Sequence, residues 1–170
     1  MIRSLLVVGT ALGLVALFAT PAVRAATPPA QVNEDEIREV VRRANSDAVY
    51  SEAYRQNNPA LLESAWAGEA LLDMQDDIEG LRAMNQYLDL QLENLDVESI
   101  DELGPGRVRV VTLERWLARL YQIGGTYVGA QRQTVENRYL LEQRDGTWYI
   151  TEVDQEVQPT PPLPGASLSS

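Results

Sequence analysis

The stretch from Gly104 to Val157 limits the folds open to this chain more than any other. It reads as three strand-length runs separated by turn signals: Gly104-Pro105-Gly106 before the first, Gly124-Gly125 after it, and Asp145-Gly146 before the last. Upstream, the pattern is amphipathic and helical, so those helices need a sheet to cover. Between the two, Leu88, Leu90 and Leu92 alternate with Asp89, Gln91 and Glu93, as in a half-buried strand. The alternation then slips, because Leu95, Val97 and Ser99 take the other parity. One extra residue near Glu93-Asn94 produces such a slip, so a bulge or sharp bend is expected there.

Helices first and then a four-stranded antiparallel meander make an α+β chain, with N-terminal helices packed on one face of a strongly bent sheet, a half-cone. Asn33 with Glu36 forms the N-x-x-E box that starts a helix, and Glu34 and Asp35 suit the positive end of its dipole. Ile37, Val40, Val41, Ala44, Ala48 and Ser51 form its apolar stripe, with Tyr50 and Tyr54 one turn apart beside it, and Asn57-Asn58-Pro59 ends it. A short helix follows over 60–66, then another over 70–84 with Leu71, Met74, Ile78 and Leu81 inward. Its other face carries Asp73, Asp76, Asp77 and Glu79. Asp73 and Asp77 are spaced to share a divalent cation, although a solvated acidic face has the same pattern.

The ends of the chain read differently. Arg3, the apolar run from Leu5 to Ala19 and the V-x-A ending at Ala25 have the form of a signal peptide over 1–25. Cleavage after Ala25 is the favoured reading, and retention as a membrane anchor is the alternative. Residues 26–32 read as a linker, 33–157 as one domain, and 158–170, rich in Pro and Ser, as a disordered tail. An exported chain in the cell envelope, the periplasm or the extracellular space follows from this reading. Losing Arg3 and Arg24 takes the formal charge from −11 to −13, a balance that disfavours nucleic acid and anionic membrane as partners.

Composition removes whole classes of chemistry. The sequence has no His and no Cys, and all 14 basic residues are Arg. Ser-His and Cys-His nucleophiles, Schiff-base lysines and the usual zinc ligands are therefore excluded, and neither metal nor cofactor is expected. Catalysis would fall to carboxylates, Tyr or Arg.

The opening helices with Tyr54, Asn57 and Leu61-Leu62, the run GRVRVVTLERW and the run NRYLLEQRDGTWYITEV together resemble the nuclear transport factor 2-like superfamily of cone-shaped domains. Within it they are most similar to the intermembrane-space-type domain of plastid-division proteins and their bacterial relatives. The matching positions are Gly106, Val108, Val110, Thr112-Leu113-Glu114, Tyr139, Leu141, Gly146, Trp148, Ile150, Thr151 and Glu152, within a resemblance that spans 35–157. It implies a cone that holds a ligand or partner. In some members the cone carries a catalytic Asp, Tyr or His; other members only bind.

Strand parity points Glu114, Gln133, Asn137 and Glu152 into the cone beside Trp116, Tyr139 and Trp148. A carboxylate there is costly to bury unless it is hydrogen-bonded or paired. Glu114 is accordingly read either as a general base or as half of an ion pair with Arg138 or another sheet arginine. On the other face, Arg107, Arg109, Arg115 and Arg119 alternate along one strand and are candidates for receiving an acidic partner; equally, they answer acids of the same chain. The preferred reading is a non-enzymatic binding or scaffolding domain for a protein partner or small apolar ligand. The alternative is a cofactor-free isomerase- or cyclase-like enzyme with Glu114 as base.

Overall fold

The computed structural model describes residues 32–158; the signal segment, nearly all of the linker and the tail beyond Gln158 lie outside the described residues. Helix α1 (Glu34–Ala44) starts where Asn33 Oδ1 accepts the backbone N–H groups of Asp35 and Glu36 at 3.1 and 3.4 Å. Ile37, Val40, Val41 and Ala44 form its buried stripe. The helix does not continue to Asn57. It stops at Asn45, and the chain restarts through a π-helical turn (Asp47–Ser51) into the short helix α2 (Glu52–Gln56). That break rotates Ala48, expected in the buried stripe, out to solvent, while Ser51 stays buried. Asn57 adopts a left-handed conformation, φ 49°, that ends α2, and its amide donates to the Gln86 carbonyl at 3.0 Å.

A 3₁₀ turn (Pro59–Ser64) leads to Trp66 and helix α3 (Gly68–Ala83). Here the chain runs alongside the sheet edge. Ala67 N–H donates to the Ile150 carbonyl and Ile150 N–H to the Ala65 carbonyl, a two-bond parallel bridge. Gly68 sits at φ +60°, and a Cβ there would meet the Thr151 carbonyl oxygen at 3.0 Å, so glycine is required at this approach. Among the described residues no helix is long and apolar enough to cross a membrane.

The sheet is an antiparallel meander in the order β1 (Gln86–Gly104), β2 (Arg107–Gln122), β3 (Tyr127–Arg144) and β4 (Thr147–Gln158), and it does not close. The expected slip in β1 is present as a bulge between Leu92 and Asn94, followed by two more at Val97/Ser99 and Glu102/Gly104. Each bulge bends its strand and adds twist, so the long strands curl around the helices. The final hairpin turns on Asp145 and Gly146, both at positive φ (51° and 81°), the geometry of a type I′ turn.

The core lies between the concave face and the helices, with Val108, Val110, Val135, Leu141 and Ile150 of the sheet packed on Ile37, Val41, Leu62 and Ile78. The even positions of β2 point inward from Val108 to Trp116. Trp148 is buried in the closing strand. Trp148→Ala should destabilise the domain by about 3–5 kcal/mol, a large part of a typical ~5–15 kcal/mol total. Denaturant titration measures this, and a midpoint unchanged from wild type would show that Trp148 does not anchor β4.

Candidate functional site

Between the sheet and α3 the core leaves a cavity of about 240 Å³. Glu114 stands at its base, 1% exposed. The same wall brings in Trp116 from β2 and Gln133, Asn137 and Tyr139 from β3, all inward-facing by strand parity. The helical side supplies Asn45, Tyr50, Tyr54 and Trp66, and α3 supplies Met74 with Asp73 and Asp77.

Glu114 is not ion-paired. Among the described residues no arginine reaches it; Arg138, the expected partner, is engaged with Glu136, Asp154 and Glu156 on the opposite face. Three neutral donors hold the carboxylate instead. Thr112 Oγ1 and the Tyr139 hydroxyl donate to Oε1, and Trp116 Nε1 donates to Oε2, each at 2.7 Å. Thr112 and Trp116 flank Glu114 at two residues' distance, so the pleat itself delivers them to the same face. The Tyr139 oxygen in turn accepts from the side-chain amides of Asn137, at 2.9 Å, and Asn45, at 3.2 Å. Asn45 also donates to the Val41 carbonyl. One polar network thus runs from β2 through β3 to the end of α1. Asn137 Oδ1 is the one atom of it left buried without a partner.

The phenols record the burial and charge of this site. Burial pushes Tyr139 well above its ordinary value of 10.0, and the charge and hydrogen bond of Glu114 push the same way. Tyr50 is pushed up to about 12, first by burial and further by the charges of Glu114 and Asp77, against a hydrogen bond with Tyr54 that lowers it. Burial, then Tyr50 and Asp77, also raises Tyr54. None of these hydroxyls is poised to move a proton near neutral pH.

Two expected site residues lie elsewhere. Glu152 does not face the cone: the pairing of β3 with β4 slips between Leu140 and Leu141, Thr151 becomes the extra residue, and Glu152 turns out to solvent. Val153 and Gln155 reach the cavity in its place. Trp148 is inward but packs in the core away from the cavity lining. Asp73 and Asp77 are exposed on α3, as expected, and also border the cavity. Among the described residues, no group of three or more acidic side chains is arranged as a set of metal ligands. Asn45, Thr112, Tyr50 and Tyr54 join the site although sequence reasoning did not place them there; for Thr112 the i−2 spacing from Glu114 is the signal.

The arginine ribbon is broken. Val111, Leu113 and Leu117 separate its members on the same face, Arg107 pairs with Glu142 at 3.3 Å, and Arg119 pairs with Asp89 at 3.2 Å. Arg132 holds the Glu93 carboxyl below the usual carboxylate range through their hydrogen bonds. Arg109 and Arg115 have no ion pair among the described residues. The acids that answer these arginines come from β1 and β3.

Comparison with known proteins agrees with this architecture. A family model described as ARC6-like, IMS domain, matches residues 51–151. No curated protein matches the sequence. Among solved structures, the chain is similar to the intermembrane space region of the chloroplast protein ARC6, with 17% identity and a TM-score of 0.66, over 76% of this chain and 100% of that one. It is also similar to an NTF2-like family protein from Streptomyces avermitilis, with 13% identity and a TM-score of 0.51, over 75% of this chain and 100% of that one. Both likenesses concern the fold.

The raised phenols set the alkaline stability. Below pH 10 they are protonated in folded and unfolded chains alike; above it the unfolded chain gives up protons that the folded one keeps. Stability should therefore fall from the ordinary phenol value of 10.0 upward, through about 12 for Tyr50, by about 1.4 kcal/mol per pH unit for each of Tyr50, Tyr54 and Tyr139. Tyrosinate absorbance followed beside denaturant midpoints measures this. Free ionisation of all seven tyrosines in the folded protein at about pH 10 would contradict the burial described.

Proposed function

The chain belongs to the ARC6-like IMS domain family, and from that membership we propose that it is an exported, non-enzymatic binding domain that holds its partner or ligand through the cone cavity. The observation that carries this reading is the lock on Glu114. A general base must reach the proton it takes, whereas both oxygens of this carboxylate are engaged, Oε1 by Thr112 and Tyr139 and Oε2 by Trp116. The remaining space has walls that can contact a ligand. The sheet face is the weaker candidate, because its arginines largely answer acids of the same sheet.

Export is supported by the basic, apolar and V-x-A segment over 1–25, and by likeness to a domain that works in an intermembrane space. Release after Ala25, or retention of the segment as an anchor, would both put residues 33–157 outside the cytoplasm, with the Pro- and Ser-rich end as a trailing tail. The absence of basic residues around the cavity, and the net charge of −11, argue against nucleic acid as the partner.

The test compares the immobilised wild-type domain with Ala118→Phe, which fills the cavity, and with Arg109→Glu/Arg115→Glu. Envelope extract is applied at low and high salt. A specifically retained component should be lost at least about tenfold from the Ala118→Phe variant and kept by the arginine variant. Loss in the arginine variant alone would move the interface to the sheet. Catalytic turnover of a bound compound, abolished by Glu114→Gln, would make the domain an enzyme. Cell fractionation tests export, and a cytosolic protein would contradict it.

A further inference from the structure

The cavity has a one-sided chemistry. Its acids are Glu114, Asp73 and Asp77, and no arginine lines it. Glu114 brings a negative charge into the interior with neutral donors around it and no cation; a hydrogen-bonded but unpaired buried charge leaves a field that a counterion would stabilise. At the α3 side, burial pushes Asp77 above the ordinary carboxyl value, and the neighbouring charges of Asp73 and Asp76 add to it, the mark of negative charge crowded together without a partner. Asn137, 4% exposed and part of the lining, keeps its Oδ1 without a donor. The unmet demand around the cavity is therefore for positive charge, with a hydrogen-bond donor wanted at Asn137.

Part of the remaining wall is a continuous run of aromatic rings. Tyr50 packs against Tyr54, Trp66 and Trp116 with ring centroids 5.2, 5.7 and 5.3 Å apart, and Trp66 meets Tyr139 edge-on at 6.0 Å. Aromatic rings attract cations through their negative faces, and groups of them recognise ammonium ligands in particular. A volume of about 240 Å³ lies below the range of roughly 300–1,000 Å³ usual for drug-sized ligands. It suits one head group.

We propose that the cone cavity is a binding site for a small organic cation, a single ammonium head seated against Tyr50, Trp66 and Trp116, with Glu114 below it and Asp73 and Asp77 at the α3 side. This deepens the binding reading given above and rests on it. The same head group is carried by a free small molecule or by the side chain of a partner's lysine, and the two are told apart by the probes.

Choline represents the free molecule, its neutral isostere with carbon in place of nitrogen is the control, and Nα-acetyl-lysine methylamide represents the side chain. Binding is followed by NMR of the tryptophan indole N–H groups and by calorimetry on the folded wild-type domain. A cation should shift the Trp66 and Trp116 indoles saturably, and the neutral isostere should bind on the order of tenfold more weakly or worse. Asp73→Asn/Asp77→Asn changes only exposed helical positions and should weaken the cation by about tenfold while leaving the isostere unchanged. Tighter binding of choline points to a small-molecule ligand, and tighter binding of the lysine analogue to a partner side chain; either supports the site. Equal binding of cation and isostere, or shifts confined to residues away from the cavity, would overturn it. So would no binding by either cation. In that last case, continued loss of the envelope component with Ala118→Phe would keep the binding function and discard only the cationic ligand.

Discussion

The hydrogen bond from the Tyr139 hydroxyl to Glu114 joins two paired strands a second time through their side chains, and the same hydroxyl carries the network on to the end of α1. Burying a carboxylate costs several kcal/mol unless its oxygens are satisfied, and hydrogen bonds to a charged group return about 1.5–3 kcal/mol each. Thr112 and Trp116 supply two of the three donors from the same strand. The third comes from another strand: Tyr139 gives its one proton to Glu114 while the amides of Asn137 and Asn45 donate to its oxygen. The position of α1 over the sheet is tied to this chain of donors, since Asn45 is the residue at which that helix ends.

The bulges decide which side chains share the cavity with that network. Three slips in β1, one between β2 and β3 and one between β3 and β4 bend an ordinary meander around the helices. Each slip also exchanges the two faces of its strand beyond the bulge. At Thr151 the exchange sends Glu152 outward and brings Val153 and Gln155 to the cavity. Curvature and site composition thus have a common cause.

Much of the architecture was legible in local sequence because its causes are local. Asn33 caps α1 through its own side chain, Asp145-Gly146 supplies the positive φ values of the hairpin, and the parity of the leucines in β1 reveals the bulge at Leu92/Asn94. The inward set Glu114, Trp116, Gln133, Asn137 and Tyr139 follows from alternation alone. Glu152 was misplaced because Trp148, Ile150 and Glu152 keep a regular spacing, and the slip opposite them leaves no trace in that pattern. Ala48 was misplaced because the apolar period runs on past Asn45, whose side chain turns away to Tyr139. The pairing of Arg119 with Asp89, or of Arg132 with Glu93, depends on cross-strand register. The neutral donors around Glu114, where an arginine was expected, depend on it in the same way, because Arg138 faces the other side of the sheet.

A double-mutant cycle between Glu114→Gln and Tyr139→Phe, read from denaturant unfolding, tests most directly whether the buried carboxylate and the phenol that reaches toward α1 act as one network. Residues in one hydrogen-bonded network couple by about 0.5–3 kcal/mol, and a charged, buried pair belongs toward the upper end of that range. The predicted result is a coupling of about 1–3 kcal/mol, with the double variant much less destabilised than the two single losses added together. Additivity within ~0.3 kcal/mol would show that the two groups act independently, and the account of the cone built on their contact would be wrong.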